Sequence, residues 1–401
     1  MQLAMEIVVT VGEKYGAKRL LKIKKSHIDV CAASSFGQAT VDFLQYLADN
    51  GVRVSVPTTI NSGSRDRYIG RELGCPEACI EGSKVVEETF ARMGVLQTWT
   101  CAPYQTANIP RFGEVVGFSE SNVVGYVNSV LGARTERLPD MFEVCCAAIG
   151  RVPEYGLYLT ENRRGDALFR LEGFGSNWFK DSVDYALLGY YVGRAMVNKV
   201  PVVEGLPADT DSDNMKAFSA AAASGGGIGL FHLVGLTPEA PTAQMAFQGW
   251  TGYKTHTVTP ADLLALKETL CTAQDSRVDY VIMGCPHYSV SELRRVAQLI
   301  QGRKVNPATT VWVMTSDAQH YIAQQSGILK ILQDAGIFVV RDACPMNAAL
   351  DWSGKTVMTD SGKVAQYAPA VNHVTIHMGT AAECMDAAVN GRITREVEPW
   401  R

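Results

Sequence analysis

The 401-residue sequence has no surplus of positive charge: 37 lysines and arginines stand against 41 aspartates and glutamates, for a formal net charge of −4. Without a basic excess there is little to neutralise a phosphate backbone, so nucleic acid is not an expected partner. The chain also lacks any uninterrupted run of about 18 apolar residues, the length a spanning helix needs, and its first residues lack the pattern of a secretory leader. A membrane partner is not expected either. Charged residues are sparse at 19%, and neither a fixed-period repeat nor a low-complexity segment is present, which argues against a solenoid or a disordered tail. What remains is a chain with 47% hydrophobic residues, enough for a large core divided over two to three domains.

Ten cysteines at irregular spacings do not form the dense framework of a small secreted domain. They read as reduced thiols of a cytoplasmic protein, some buried and some available to a metal. The N-terminus reads as an amphipathic helix followed by a basic strand. Further on, short apolar runs alternate with 3.6-periodic segments. Ile28–Ala33, Val52–Val56, Leu96–Cys101, Ile228–Val234, Tyr280–Gly284, Val311–Met314 and Phe338–Arg341 are expected strands. Ala39–Asp49, Lys84–Met93, Asn122–Leu131, Val183–Val197, Ser291–Ile300 and Ala318–Leu332 are expected helices. Such alternation predicts an α/β fold with mainly parallel strands, here drawn as modules over residues 1–150, 151–275 and 276–401.

Three cysteines share a context. Cys101 (TWTCAPY), Cys285 (VIMGCPH) and Cys344 (VVRDACPM) each follow an extended apolar run and precede a proline by one or two positions. Loops after parallel strands are where α/β sheets bind ligands. Three convergent thiolates can hold an iron-sulfur cluster or zinc with one position open; the competing reading is three small buried hydrophobes. Cys145 and Cys146, within MFEVCCAAIG, read as core. Cys75, Cys79, Cys31, Cys271 and Cys384 also read as packing residues.

His287 lies two residues after Cys285, where an imidazole can donate a proton or orient a ligand. His232 reads as a core histidine. His373 and His377, four apart in a strand-like VNHVTIHMG, carry only a weak zinc signal. SGGGIG at 224–229 precedes a strand instead of following one and has no P-loop lysine, so it does not fit a nucleotide loop. The polar loop 57–67, with Thr59, Asn61, Arg65 and Asp66, can bind a carboxylate through Arg65, or can be a solvated turn. Glu120, Ser121 and Asn122 fall at an expected helix start, where Ser121 would cap and Glu120 would be exposed.

These segments together resemble the catalytic large subunit of the aconitase X family. AMEIVVTVGEKYGA, VPTTINSGSRD, TCAPYQTANIPRFGEVVGFSESNVVGYVNSVLGART, GRVPEYGLYLTENRRG, FHLVGLTPEAPT, MGCPHYSVSEL and RDACPM carry the resemblance and extend over nearly the whole chain. It implies several doubly wound α/β modules around a central cleft, and a hydro-lyase that removes water from a β-hydroxy carboxylate. It also implies an iron-sulfur cluster of undetermined nuclearity held by Cys101, Cys285 and Cys344. Thr59, Asn61, Arg65, Asp66, Glu120, Ser121 and Asn122 would bind the substrate and His287 would protonate the leaving hydroxyl.

In the superfamily the base is typically a serine on a small swivelling domain. No motif of that domain is present, so the resemblance implies a separately encoded small subunit. The sequence also starts at the AMEI motif, where family members commonly carry an additional N-terminal segment. The family's two substrates are cis-3-hydroxy-L-proline and mevalonate 5-phosphate. A modest charge content without Lys/Glu enrichment reads as mesophilic and favours the first. A non-catalytic cluster-binding regulatory protein is the reading from another class.

Overall fold

The structure is a computed structural model and describes residues 1–29, 37–347 and 352–394. The N-terminal helix Gln2–Lys14 buries Ala4, Val8 and Gly12 at four-residue intervals, the stripe its sequence demands. It leads into β1 (Leu20–Lys22), which pairs antiparallel with β5 (Arg151–Pro153). A three-stranded parallel sheet follows, with β2 (Ser26–Ile28) central between β3 (Thr58–Ile60) and β4 (Gly117–Phe118). The expected strand Ile28–Ala33 extends beyond the described residues, as does Cys31.

Two expected strands are irregular instead. Leu96–Cys101 runs beside β3, with Leu96 N donating to Thr58 O at 2.8 Å and Thr100 N to Ile60 O at 3.0 Å. Trp99 at φ 41° breaks the ladder between those bonds. Val52–Val56 gives its amides to Leu47, Met93 and Ala147 carbonyls, the ends of neighbouring helices, and forms no strand.

The middle part is a four-stranded parallel sheet in the order β8 (His232–Leu233), β7 (Pro201–Glu204), β6 (Ala167–Leu171), β9 (Lys254–Val258). Its two long helices, Ser182–Ala195 and Ser212–Gly226, lie in backbone contact. A Cβ on Gly189 would stand 2.3 Å from Phe218 O, and one on Gly226 would stand 1.9 Å from Gly193 O. The small-residue run at 220–229 therefore serves helix packing, not phosphate binding.

The C-terminal part is a five-stranded parallel sheet in the order β12 (Phe338–Arg341), β11 (Thr310–Thr315), β10 (Tyr280–Tyr288), β13 (Thr356–Thr359), β14 (Thr375–Met378). Residues of β10 alternate between two cores. Ile282 faces the large one shared with the middle part, while Val281 and Met283 face helices Val290–Ile300 and Ala381–Asn390. The expected helix 318–332 is two helices, Asp317–Gln325 and Ile328–Ala335, divided at Gly327 in the left-handed region. His373 caps helix Gly362–Asn372 and His377 lies in β14, so the two do not share a strand. Among the described residues no helix is long and apolar enough to cross a membrane.

Strand order reverses at β2 in the first sheet and between β10 and β13 in the last. Reversal opens a crevice at the carboxyl ends of parallel strands. The two crevices form one cavity, because it is lined by residues following β2, β3 and β4 on one side and β10, β12 and β13 on the other.

Candidate active site

The cavity has a volume of about 270 Å³. Cys101, Cys285 and Cys344 all line it, although they are far apart in sequence. Each is a free thiol, partly exposed through the cavity. Burial pushes all three thiols up, Cys285 to about 12 and Cys101 well above the usual range, with Lys363 opposing the shift in each case. A protein alone thus keeps them neutral, and a bound cation would ionise them.

Neighbouring groups are arranged for that charge. The His287 amide donates to Cys101 Sγ at 3.2 Å, and the Met346 and Asn347 amides bond Cys344. Among the described residues no three His, Cys, Asp or Glu side chains converge closely enough for a single metal ion. Three thiols lining one cavity are the donor type of an iron-sulfur cluster.

Facing the thiols are Asp29, Asn61, Ser62, Glu120, Ser121 and Lys363. Lys363 Nζ donates to Glu120 Oε1 at 2.6 Å and to Ser121 Oγ at 3.1 Å. Burial opposes charge on both partners, but their mutual attraction wins: Glu120 is held below the usual carboxylate range and Lys363 well above the usual amine range. Asn61 Nδ2 donates to Asp29 Oδ1. Burial, then the charges of Glu120 and Asp140, raise the Asp29 carboxyl to about 7.

Seven of the eleven sequence-predicted site residues meet in this cavity: the three cysteines, His287, Asn61, Glu120 and Ser121. Four do not. Thr59 is buried beneath it, its hydroxyl bonded to His27 Nδ1 and Asn108 Nδ2, each at 2.8 Å. Asn122 spends its amide on Cys101 O at 3.1 Å and Tyr104 Oη at 2.8 Å, fixing the cysteine turn. Arg65 turns away and pairs with Glu87 at 2.6 Å. Asp66, 1% exposed, is spent on backbone amides.

Two roles also differ from expectation. Glu120 is not exposed: it is itself the cap of helix Ser121–Ser129, accepting from Val123 N at 2.8 Å, with φ 73°. His287, expected to protonate the leaving hydroxyl, has both ring nitrogens engaged, Nε2 with Ala343 O at 2.9 Å and Nδ1 with Thr100 Oγ1 at 3.1 Å. A ring that donates to a carbonyl and accepts from a hydroxyl is neutral, and burial lowers its pKa to about 4. It braces the Cys101, Cys285 and Cys344 segments against one another.

The sequence reading missed Lys363 and Asp29. Lys363 stands at the second position of a helix capped by Ser361, directly after β13. A cation is unfavourable in a first helical turn, and TDSGK after a strand was the available signal. Tyr367 and Val371, one and two turns further, line the cavity as well.

Parallel α/β sheets whose carboxyl ends enclose three thiols, a lysine and carboxyl groups define an α/β protein with a polar cleft. Family models for the aconitase X first, second and third domains match residues 1–161, 165–268 and 278–390. A cis-3-hydroxy-L-proline dehydratase of Hypocrea jecorina is 37% identical over 97% of this chain and 66% of its own length; one of Pseudomonas aeruginosa is 36% identical over 100% and 69%. The chain thus spans about two thirds of those relatives. A phosphomevalonate dehydratase large subunit of Methanothermobacter thermautotrophicus is 36% identical over 92% of this chain and 90% of its own length. The crystal structure of Thermococcus kodakaraensis aconitase X in its holo-form superposes with a TM-score of 0.87 at 30% identity, covering 96% of this chain and 95% of that one. The chain belongs to the aconitase X family.

Proposed function

We propose that the chain is the large component of a hydro-lyase that dehydrates cis-3-hydroxy-L-proline. The observation that carries the substrate is the charge of the cleft: among the described lining residues one cation, Lys363, faces two acids, Glu120 and Asp29. A zwitterion suits that balance, its carboxylate toward Lys363 and the starts of helices Ser121–Ser129 and Gly362–Asn372, its ammonium toward Asp29. A phosphate dianion would meet two carboxyl groups with only one cation to offset them. Of the four arginines that could serve such a group, Arg65 and Arg67 pair with Glu87, Arg163 pairs with Glu239 and Arg134 donates to Tyr158 O and Thr160 Oγ1; none is among the described residues lining the cavity.

Cys101, Cys285 and Cys344 would hold an iron-sulfur cluster, which when bound supplies a Lewis-acidic iron for the departing hydroxyl. The chain's own groups bind and orient: Lys363 fixes the carboxylate and Asp29 fixes the ring nitrogen, beside a wall that carries Tyr367 and Val371. The proton acceptor is assigned to a small swivelling-domain subunit, in line with relatives named large subunits. Free thiols suit a cytoplasmic setting.

The test is anaerobic reconstitution with iron and sulfide, addition of the small subunit, and assay of cis-3-hydroxy-L-proline beside mevalonate 5-phosphate. Turnover of hydroxyproline only when both chains are present is the expected result. Turnover of the phosphate alone would transfer the assignment to the isoprenoid substrate. A stable cluster without turnover of either would favour a regulatory protein.

A further inference from the structure

The loop 61–66 and the loop 342–347 come from different sheets, yet they are joined as a short parallel ladder. Gly63 N donates to Asp342 O at 2.7 Å, and Cys344 N donates to Gly63 O at 2.8 Å. Three residues beyond Gly63, the Asp66 carboxylate closes the junction from below. Its Oδ1 accepts the amides of Tyr68 at 2.7 Å and Ile69 at 2.9 Å, which holds its own turn. Its Oδ2 accepts the Arg341 amide at 2.8 Å and lies 3.4 Å from Arg341 Nε, which crosses to the last residue of β12. The carboxylate is fully buried, and Arg341 lies over the Tyr68 ring at 3.8 Å, covering it. Immediately after Arg341, Asp342 takes the left-handed conformation at φ 61° and turns the chain toward Cys344, its own carboxylate accepting the Asp317 amide at 2.8 Å.

We propose that Asp66 is a positioning residue for Cys344: by tying the end of β12 to the 61–66 loop it fixes the turn that presents this thiol to the cavity. The inference rests on the assignment of Cys344 as a cluster ligand for its functional weight, though not for its geometry. It gives the acidic end of the polar loop a role distinct from substrate binding. Apart from a long contact of Oδ1 with Arg341 Nη2 at 3.5 Å, the two oxygens do separate work, so the role can be divided by substitution. Asp66→Asn keeps an acceptor for Tyr68 and Ile69 but turns an amide donor toward the Arg341 N–H, leaving two donors opposed.

The experiment alkylates the full chain, free of cluster, with iodoacetamide and follows Cys101, Cys285 and Cys344 separately by peptide mass spectrometry. Loss of a buried charge-assisted hydrogen bond should raise Cys344 labelling about tenfold in both Asp66→Asn and Asp66→Ala, without a matching rise at the other two thiols. Should Asp66→Ala fail to fold, the isosteric Asp66→Asn decides alone. Wild-type labelling in Asp66→Asn, or an equal rise at all three cysteines, would overturn the proposal, since the first means a purely local turn and the second a general loosening. In the reconstituted protein, Asp66→Asn should also lose its visible absorbance to a chelator faster than wild type. Selective Cys344 labelling with unchanged bleaching would instead count against Cys344 as a ligand and leave its positioning by Asp66 intact.

Discussion

Lys363 Nζ donates to Glu120 Oε1 at 2.6 Å across 243 positions of the chain, joining the first turns of the helices that start at Ser121 and Gly362. The Glu120 side chain is 4% exposed and that of Lys363 18%. Removing one partner of such a pair strands the other as a buried charge. Lys363→Met should therefore cost about 3–5 kcal/mol in denaturant unfolding. The double variant Lys363→Met with Glu120→Gln should recover most of that loss while remaining inactive, because the cation proposed to hold the carboxylate is gone. A Lys363→Met protein as stable as wild type would show that the pair is not formed.

The three thiols are separable from the other cysteines by chemistry. Cys101→Ser, Cys285→Ser and Cys344→Ser should each abolish the visible absorbance and retention of iron after anaerobic reconstitution. Cys145→Ser, in the buried helix Phe142–Ile149, should leave both intact. Persistence of the wild-type spectrum in Cys285→Ser would remove that residue from the donor set.

How much of this was legible beforehand depended on what each residue's role required. The cysteines stood out as a set because an extended apolar run, a cysteine and a proline succeed one another in all three segments. β12 was legible to the residue, as Phe338–Arg341 is a short β-branched run bounded by a glycine helix end. Arg65 was misleading for a physical reason: a guanidinium in a polar loop can face either side of the chain, and only Glu87, on the helix Glu77–Met93, decides which. Asp29 was invisible, and Lys363 was hinted at only by its TDSGK helix start, because their importance comes from strand order. Reversal at β2 and at β10/β13 sets both residues at crevice mouths, and no local pattern encodes that reversal.

His27 offers a pH signature. It is fully buried between Thr59 and Phe118, and burial lowers its pKa to about 3, against 6.5 when unfolded. Above pH 6.5 the ring is neutral in both states and its contribution is intact. Between 6.5 and 3 the unfolded chain binds a proton that the folded one refuses, so the contribution is lost as pH falls, by about 2 kcal/mol at pH 5. Asp29, raised to about 7, has the opposite effect over much of that range. The measurement is accordingly the difference between wild type and His27→Gln, which should narrow by about 2 kcal/mol from pH 7.5 to pH 5. A difference independent of pH would mean that the imidazole is not held neutral.

Helix packing near the cleft predicts opposite outcomes for one kind of substitution at two helical glycines. Gly189 lies where helices Ser182–Ala195 and Ser212–Gly226 touch, and an added Cβ would meet the Phe218 carbonyl oxygen at 2.3 Å, a backbone atom with no rotamer to escape into. The second helix also carries Lys216, which donates to His287 O at 3.1 Å, so parting the helices would disturb the Cys285 turn. Gly189→Ala should destabilise by several kcal/mol, on the order of other overpacked cores at about 1–3 kcal/mol or more, and should lower cluster retention. Gly82, in helix Glu77–Met93, has nothing within 4 Å of a built Cβ. There the methyl group meets no resistance and the unfolded chain loses freedom, so Gly82→Ala should stabilise by about 0.5–1 kcal/mol. Thermal unfolding of the two variants side by side checks both signs, and a Gly189→Ala protein as stable as wild type would contradict the helix contact.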